Sequence, residues 1–396
     1  SWYLNSPRYR TATKKLIEAA FIRKPVDQIS KSVAKALYGE VSPNGATRLE
    51  RFSACAFAHF LKYGLEVKER AEYEFKAMDM GNVIHQALED FAAELHRRKL
   101  DWSVLSDEMR DAIADECLDR ISADYGNTIL QSSARNQYMI ERTRRILRRT
   151  VWALQEQLRN GKFQPEGFEV SIGGGRIDRL DVMKTDDKVY VKIIDYKTGK
   201  TKFDLTDIYY GLQLQLVVYM DAAMEKIGRE YPDKTVVPAG LFYYHIEDPM
   251  VERKPVESEE ETNADILKAL RMNGLVNGDR EALAHLDNRL GEEATVDSDV
   301  VPVSIKNEAI VERRSQAAGE EKFRVLGAYV NRKMKHMGRE ILDGNIAASP
   351  YKNGQKTACD YCPYHSVCGF DLKTNGYQFR RFDKLSPEEI WGKMEE

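Results

Sequence analysis

The sequence predicts an α/β fold, a small mixed sheet enclosed by a shell of helices. Helix-like apolar spacing runs through most of the first 160 residues, and three short alternating runs follow between residues 168 and 195. Helical and strand periods then take turns to the C-terminal region. At 396 residues the chain exceeds the usual size of one domain, so one large domain with insertions or two domains is expected.

Residues 10–38 place Leu16, Ala20, Ile22, Ile29, Val33 and Leu37 at helical intervals, and Ser42-Pro-Asn-Gly45 closes the segment as a turn. Thr47–Tyr63 reads as a helix holding Cys55. Met80–Leu100 is strongly amphipathic, with Val83, Ile84, Leu88, Phe91 and Leu95 on one stripe, and two more helices are expected near 106–123 and 136–160. Phe168–Ile172, Gly175–Met183 and Lys188–Asp195, joined by Gly-Gly and Asp-Asp turns, predict three consecutive antiparallel strands. Ile208–Ile227 returns to helix, Val236–His245 is a further strand and Glu320–Leu342 a further helix. Between them, residues 255–300 start acidic (Glu257, Glu259, Glu260, Glu261), which suggests a solvated loop, and continue as polar helix.

Hydrophobic residues make up 42% and charged residues 31% of the chain, the balance of a globular protein with a real core. The net charge of −3 argues against a protein that coats DNA indiscriminately. A local basic groove and a carboxylate-rich metal site can still cancel in that sum. Ser1–Lys15 lacks the apolar segment of a signal peptide, and stretches such as Leu212–Ala223 are too short and interrupted to span a bilayer. A cytoplasmic protein without membrane contact is expected. Because residue 1 is not Met, a fragment of a longer chain or a processed form is also expected.

Four short pieces carry the chemistry. Gly175-Arg-Ile-Asp178 puts a carboxylate on one strand, and Asp195-Tyr-Lys197 ends the next. Residues i and i+2 of a strand share a face, so Asp195 and Lys197 point into one pocket, and hairpin pairing brings Asp178 beside Asp195. Adjacent carboxylates repel unless a cation lies between them, which favours a hard, oxygen-liganded ion such as Mg²⁺ or Mn²⁺. Asp178 and Asp195 would hold the metal with the Tyr196 carbonyl, and Lys197 would orient water or stabilise a phosphoryl transition state. His85, within Gly81-Asn-Val-Ile-His85, is a candidate further ligand. Gln215 and Tyr219, one helical turn apart, are candidates to position the scissile phosphate. Asp181 faces away from Asp178 and is read as structural, whereas Glu169 on the preceding strand could hold a second metal or support the first.

Gly-x-x-x-His, Gly-x-Ile-Asp, Asp-Tyr-Lys and Gln-x-x-x-Tyr together resemble the RecB-type branch of the PD-(D/E)XK nucleases. The resemblance implies a restriction-endonuclease-like mixed sheet flanked by helices. It also implies that His85, Asp178, Asp195 and Lys197 are catalytic, supported by Gln215 and Tyr219. Ile177 stands where the family's name has Pro.

Cys359-x-x-Cys362-x₅-Cys368 offers three thiolates, and Cys55 can supply a fourth. The donor set by itself suits zinc or an iron–sulfur cluster and leans to zinc, whose sites often pair two Cys-x-x-Cys hooks. One remote cysteine before the nuclease motifs and a triplet after them resembles the [4Fe–4S] clamp of a subset of RecB-type nucleases. Cys117 reads as a buried small hydrophobe.

Arg48-Leu-Glu-Arg-Phe-Ser-Ala-Cys55, Tyr209-Tyr-Gly-Leu-Gln-Leu-Gln and Phe379-Arg-Arg-Phe-Asp-Lys-Leu-Ser-Pro are similar to the C-terminal part of the AddB subunits of bacterial AddAB helicase–nucleases. That similarity implies single-stranded DNA as substrate, the 5′-terminated strand in particular, double-strand break resection as context, and an AddA-type subunit as partner. The chain carries no Gly-x-x-x-x-Gly-Lys-Ser/Thr phosphate loop, so no ATP motor is assigned to it. The alternatives are a stand-alone CRISPR-associated type of exonuclease and a catalytically idle DNA-holding or docking scaffold. Arg142, Arg145 and Arg149, beside Arg144 and Arg148, form a candidate DNA-binding helix face. The expected division is an N-terminal helical segment at 1–46, a nuclease domain at 47–378 with an insertion at 250–315, and a tail at 379–396.

Overall fold

The computed structural model describes residues 2–21, 26–39, 45–69, 77–124, 133–173, 175–252 and 258–396. Ile22, residues 42–44 of the expected turn and Glu257 lie outside the described residues. The principal elements are helices α1 (Arg10–Phe21), α2 (Lys31–Tyr38), α3 (Ala46–Ala54), α4 (Ala77–Arg98), α5 (Asp107–Asp124) and α6 (Ala134–Arg159). Strands β1 (Gln164–Ile172), β2 (Gly175–Lys184) and β3 (Lys188–Lys197) follow, then α7 (Gln215–Glu230), β4 (Thr235–His245), α8 (Glu259–Ala269), β5 (Asn273–Asn277), β6 (Ala317–Ala318) and α9 (Glu320–Leu342).

The chain forms two compact units, one of Ala71–Asp204 with Gln215–Ala328, the other of Ser1–Arg70, Leu205–Leu214 and Tyr329–Glu396. The first holds a six-stranded sheet in the order β1-β2-β3-β4-β5-β6. β1, β2 and β3 are antiparallel neighbours, β3 and β4 are parallel, β4 and β5 antiparallel, and β5 and β6 parallel. A parallel pair needs a crossover, and α7 lies within the connection from β3 to β4. β3 is buried from Val189 to Tyr196, as a central strand covered on both faces must be. Val83, Ile84, Leu88 and Phe91 of α4 share one core with Ile113 of α5, Leu147, Val151 and Leu154 of α6, and Tyr190, Ile194 and Tyr196 of β3. In β4 the residues joining this core switch from Val237 and Ala239 to Phe242 and Tyr244. A bulge opposite Val191 and Lys192 explains the switch, because one extra residue reverses the alternation. Cys117 is fully buried in the same core.

Three expectations change. The acidic residues Glu259, Glu260 and Glu261 are the first turn of α8, not a loop. Ser258 closes a capping box with Glu261, and carboxylates there face the positive end of the helix dipole. The helix expected at Ile208–Ile227 is two, Leu205–Tyr209 and α7. Gly211 at φ +81° reverses the chain between them, and a side chain there would collide with Ser53 Oγ. The intervening residues belong to the second unit, where the Leu214 amide donates to Glu50 (2.6 Å) and Ser53 Oγ to the Tyr210 carbonyl (2.5 Å). Thr47–Tyr63 is likewise not one helix. It breaks at Cys55, whose backbone is extended (φ −165°, ψ 117°), and resumes as Ala56–His59 followed by a π-helical turn at Phe60–Gly64.

The second unit thus gathers α1–α3, the 205–214 segment and the C-terminal region. Tyr210 stacks on Phe382 with ring centroids 3.7 Å apart, and Tyr329 donates to the Tyr209 carbonyl at 2.6 Å. No described helix is long and apolar enough to cross a membrane.

A candidate metal centre and a cysteine quartet

Strand register builds the first site. β1 and β2 pair from Ile172↔Gly175 to Phe168↔Arg179, which sets Glu169 opposite Asp178. β2 and β3 pair at Arg179↔Ile194, so one step further Asp178 lies abreast of Asp195. Three carboxylates therefore stand in a row across three adjacent strands. Glu169 holds φ +47°, rare for a residue with a side chain and a form of strain concentrated at functional sites.

Among the described residues, one group of three ligand-bearing side chains has its ligand atoms all within 4.8 Å of one another: His85, Glu169 and Asp178. His85 Nδ1 lies 3.5 Å from Asp178 Oδ2, and that oxygen accepts the Tyr196 amide at 2.7 Å. Sequence reasoning gives Glu169 only a secondary part, yet it stands in the first group. Counting back from the Ile172–Gly175 pair finds it, because hairpin register pairs residues at equal distances from the turn.

Lys197 pairs with Asp195, and its Nζ donates to Gln215 Oε1 at 3.2 Å. Gln215 Nε2 in turn donates to the Tyr219 hydroxyl at 2.9 Å. The first turns of α7 thus present Gln215 and Tyr219 to the end of β3. The structure brings His85, Asp178, Asp195, Lys197, Gln215 and Tyr219 into one constellation.

Its electrostatics are those of anions crowded out of water. Burial, then repulsion from Asp195, pushes the Asp178 carboxyl well above the usual range. Burial raises Asp195 and Glu169 as well, against the pull of Lys197 on the former and Arg176 on the latter. Burial, aided by Lys197, lowers the His85 imidazole, which leaves it neutral with a lone pair to offer. Carboxyls that burial and mutual repulsion keep from ionising, beside a neutral imidazole, fit a divalent cation, which would favour their ionised form and accept mixed oxygen and nitrogen donors.

Asp181 lies elsewhere. It accepts from Arg179 at 2.6 and 2.8 Å and pairs with Lys192 at 2.9 Å, all three almost fully buried. Arg179 lies over the Trp102 ring at 5.2 Å.

The cysteine quartet belongs to the second unit. Cys55, Cys359, Cys362 and Cys368 are free and partly buried. Burial and then the three other sulfurs raise the Cys359 thiol to about 11. Burial raises Cys55, while the amides of Ala58 and Phe57 hydrogen-bond its sulfur and oppose the shift. The Phe370 amide donates to Cys368 Sγ at 3.4 Å. The four sulfurs are near enough to repel as thiolates, but no three of them gather within 4.8 Å.

On α6, Arg145 and Arg149 both engage Asp248, at 2.6 and 3.7 Å, while Arg144 pairs with Asp119 and Arg148 with Asp115. Arg142 forms no ion pair among the described residues.

Residues 45–369 match the PD-(D/E)XK nuclease superfamily. The chain is 39% identical over 395 residues to the B subunit of the ATP-dependent helicase/deoxyribonuclease of Lachnoclostridium phytofermentans, covering 96% of this chain and 34% of that protein. It is 34% identical to the corresponding protein of Alkaliphilus oremlandii (99% and 36% covered) and 32% identical to that of Clostridium acetobutylicum (100% and 35% covered). The chain spans about a third of the length of these curated relatives.

Proposed function

This chain belongs to the PD-(D/E)XK nuclease superfamily, is a metal-dependent nuclease, and is homologous over most of its length to helicase/deoxyribonuclease B subunits; from that premise we propose that it hydrolyses single-stranded DNA with Mg²⁺ or Mn²⁺ at the sheet site. The observation that carries the reading is the row Glu169–Asp178–Asp195, with neutral His85 beside Glu169 and Asp178 and Lys197 paired with Asp195.

His85, Glu169, Asp178, Asp195 and the Tyr196 carbonyl are the groups that would hold the cation. When bound, the cation supplies Lewis-acid polarisation of the phosphoryl group and a lowered pKa for water. The Tyr196 amide orients Asp178 through its 2.7 Å bond. Asp195 and Gln215 fix the Lys197 ammonium between them, where it can neutralise charge that grows on a pentacovalent phosphate. Tyr219 holds Gln215 in place from the next helical turn. Asp178, Asp195, Lys197 and His85 are the residues we assign to catalysis, with Gln215 and Tyr219 as positioning residues.

We assign a [4Fe–4S] cluster to Cys55, Cys359, Cys362 and Cys368. Partly buried thiols that repel one another, two of them receiving backbone amides, fit a cationic cluster. Its role is to tie the early segment around Cys55 to the C-terminal region within one unit.

The names of its relatives support an activity that serves an ATP-dependent helicase/deoxyribonuclease. We propose an AddA-type partner, the 5′-terminated strand as substrate, and recombinational repair of double-strand breaks as context. The test incubates the purified chain with single-stranded DNA and Mg²⁺, beside Asp195→Ala and Lys197→Ala. Each substitution should lower cleavage by several orders of magnitude without unfolding the protein. Undiminished cleavage by folded Asp195→Ala protein would refute the site.

A further inference from the structure

The second unit contains a cleft of about 670 Å³, well within the roughly 300–1,000 Å³ of ligand pockets. Its lining includes four cations, Arg48, Arg51, Lys62 and Lys68, against two carboxylates, Glu66 and Glu69. None of the four cations forms an ion pair among the described residues. That sets the cleft apart from α6, where four of five neighbouring arginines are committed to carboxylates.

The cleft is also aromatic and stiff. The Arg48 guanidinium lies over the rings of Tyr38 and Tyr63, at 5.3 and 5.2 Å, and its Nε donates to the buried His59 at 3.3 Å. That bond uses only Nε, so the two terminal nitrogens remain for a ligand. Tyr38 approaches Gly64 so closely that a Cβ there would lie 2.9 Å from its hydroxyl. Lys62 and Tyr63 sit on the π-helical turn Phe60–Gly64, a rare geometry that recurs at functional sites. Tyr364 closes the wall by donating to the Val67 carbonyl at 3.1 Å. It packs with Ala58 and Leu61 beside Cys55 and Cys362, so the same side chains border the cleft and the quartet.

Cations outside any ion pair would by themselves suit any anion. Cations beside a rigid tyrosine–guanidinium wall suit a ligand that carries both a phosphate and a flat base. We propose that this cleft holds a nucleotide of a single DNA strand, the base against Tyr38, Arg48 and Tyr63 and the phosphate on Arg51, Lys62 and Lys68. The identity of the strand as DNA rests on the nuclease reading; the cleft itself does not.

The test uses the whole chain carrying Asp195→Ala, to prevent cleavage, and a fluorescein-labelled 15-mer of oligothymidylate read by anisotropy. Lys62→Glu with Lys68→Glu, both exposed, should raise Kd about tenfold or more and flatten its salt dependence by about 0.7 for each phosphate no longer neutralised. The same double reversal at exposed Lys14 and Lys15 should leave Kd unchanged. Tyr63→Ala should weaken the oligothymidylate about tenfold while leaving an abasic 15-mer unaffected, as loss of stacking requires. Thermal melting confirms that each variant is folded. Unchanged Kd and salt slope in the Lys62/Lys68 variant overturn the proposal, as does equal weakening of abasic and base-bearing strands by Tyr63→Ala. A second arm keeps Asp195 and follows Mg²⁺-dependent hydrolysis of the p-nitrophenyl ester of thymidine 5′-phosphate, which carries no second nucleotide to bind at another site. Failure of that hydrolysis counts against the nuclease reading, and the anisotropy decides the cleft separately.

Discussion

Asp178 and Asp181 stand three residues apart on β2 and should behave as opposites when each is replaced by Asn. Asp181 is completely buried, and its two oxygens serve Arg179 at 2.6 and 2.8 Å and Lys192 at 2.9 Å. Asn would leave two buried cations without an anion, and breaking a buried pair in this way costs about 3–5 kcal/mol. In a body of this size that is roughly 6–20 °C in Tm. The stability should also depend on pH. Burial pushes Asp181 up, but Arg179 and Lys192 outweigh it and hold the carboxyl below its usual range. A depressed carboxyl stabilises above its unfolded pKa and loses that contribution as pH falls through the folded one, so the native and Asp181→Asn proteins should converge in acid. Asp178 is the reverse case, a carboxyl destabilised by burial and by Asp195. Its Asn variant keeps an acceptor for the Tyr196 amide, so metal-free stability should hold or rise by about 1 kcal/mol. Its nuclease rate should fall by more than roughly 100-fold, beyond the 10–100-fold expected of a residue that only supports a ligand. Urea titration read by tryptophan fluorescence, to which Trp102 beside Arg179 contributes, measures the first effect, and cleavage of single-stranded DNA the second. Similar stability losses in the two variants, or less than about 1 kcal/mol for Asp181→Asn, would refute the division of roles.

Gln215→Ala should lower cleavage by about 10–100-fold and Tyr219→Phe by less, because Gln215 touches Lys197 directly and Tyr219 acts through Gln215; a larger loss for Tyr219→Phe would reverse that order. Anaerobically purified protein should be brown, with about four irons per chain. Replacing Cys55, Cys359, Cys362 or Cys368 with Ala should bleach it and expose the second unit to protease, whereas Cys117→Ala should keep the colour; a colourless protein with one zinc would defeat the cluster assignment. Arg145→Glu with Arg149→Glu should weaken single-strand binding and flatten its salt slope, and an unchanged slope would leave both arginines to Asp248 alone.

Local pattern made much of this protein legible. Amphipathic spacing located α4 to within a few residues, and the hairpin turns located β2 and β3, because these elements bury continuous stripes that periodicity reports directly. Where an element answers to distant partners, periodicity fails. Leu205–Tyr209 and α7 read as one helix because the break at Gly211 serves contacts with Ser53 and Glu50, more than 150 residues away. Cys55 reads as mid-helix because nothing local marks the extended turn that aims its sulfur at amides of the following residues.

The candidate site divides along the same line. Sequence alone determined that Asp178, Asp195 and Lys197 share a face, since a strand alternates with period two and a hairpin pairs residues in fixed register. It also determined that four cysteines were available for one centre. Tertiary structure decided that Glu169 joins His85 and Asp178, that Asp181 serves a buried cation pair, and that α6 spends four arginines on carboxylates. Those outcomes depend on which charges meet after burial, and a charge taken out of water is governed by its nearest opposite neighbour, whatever separates them along the chain.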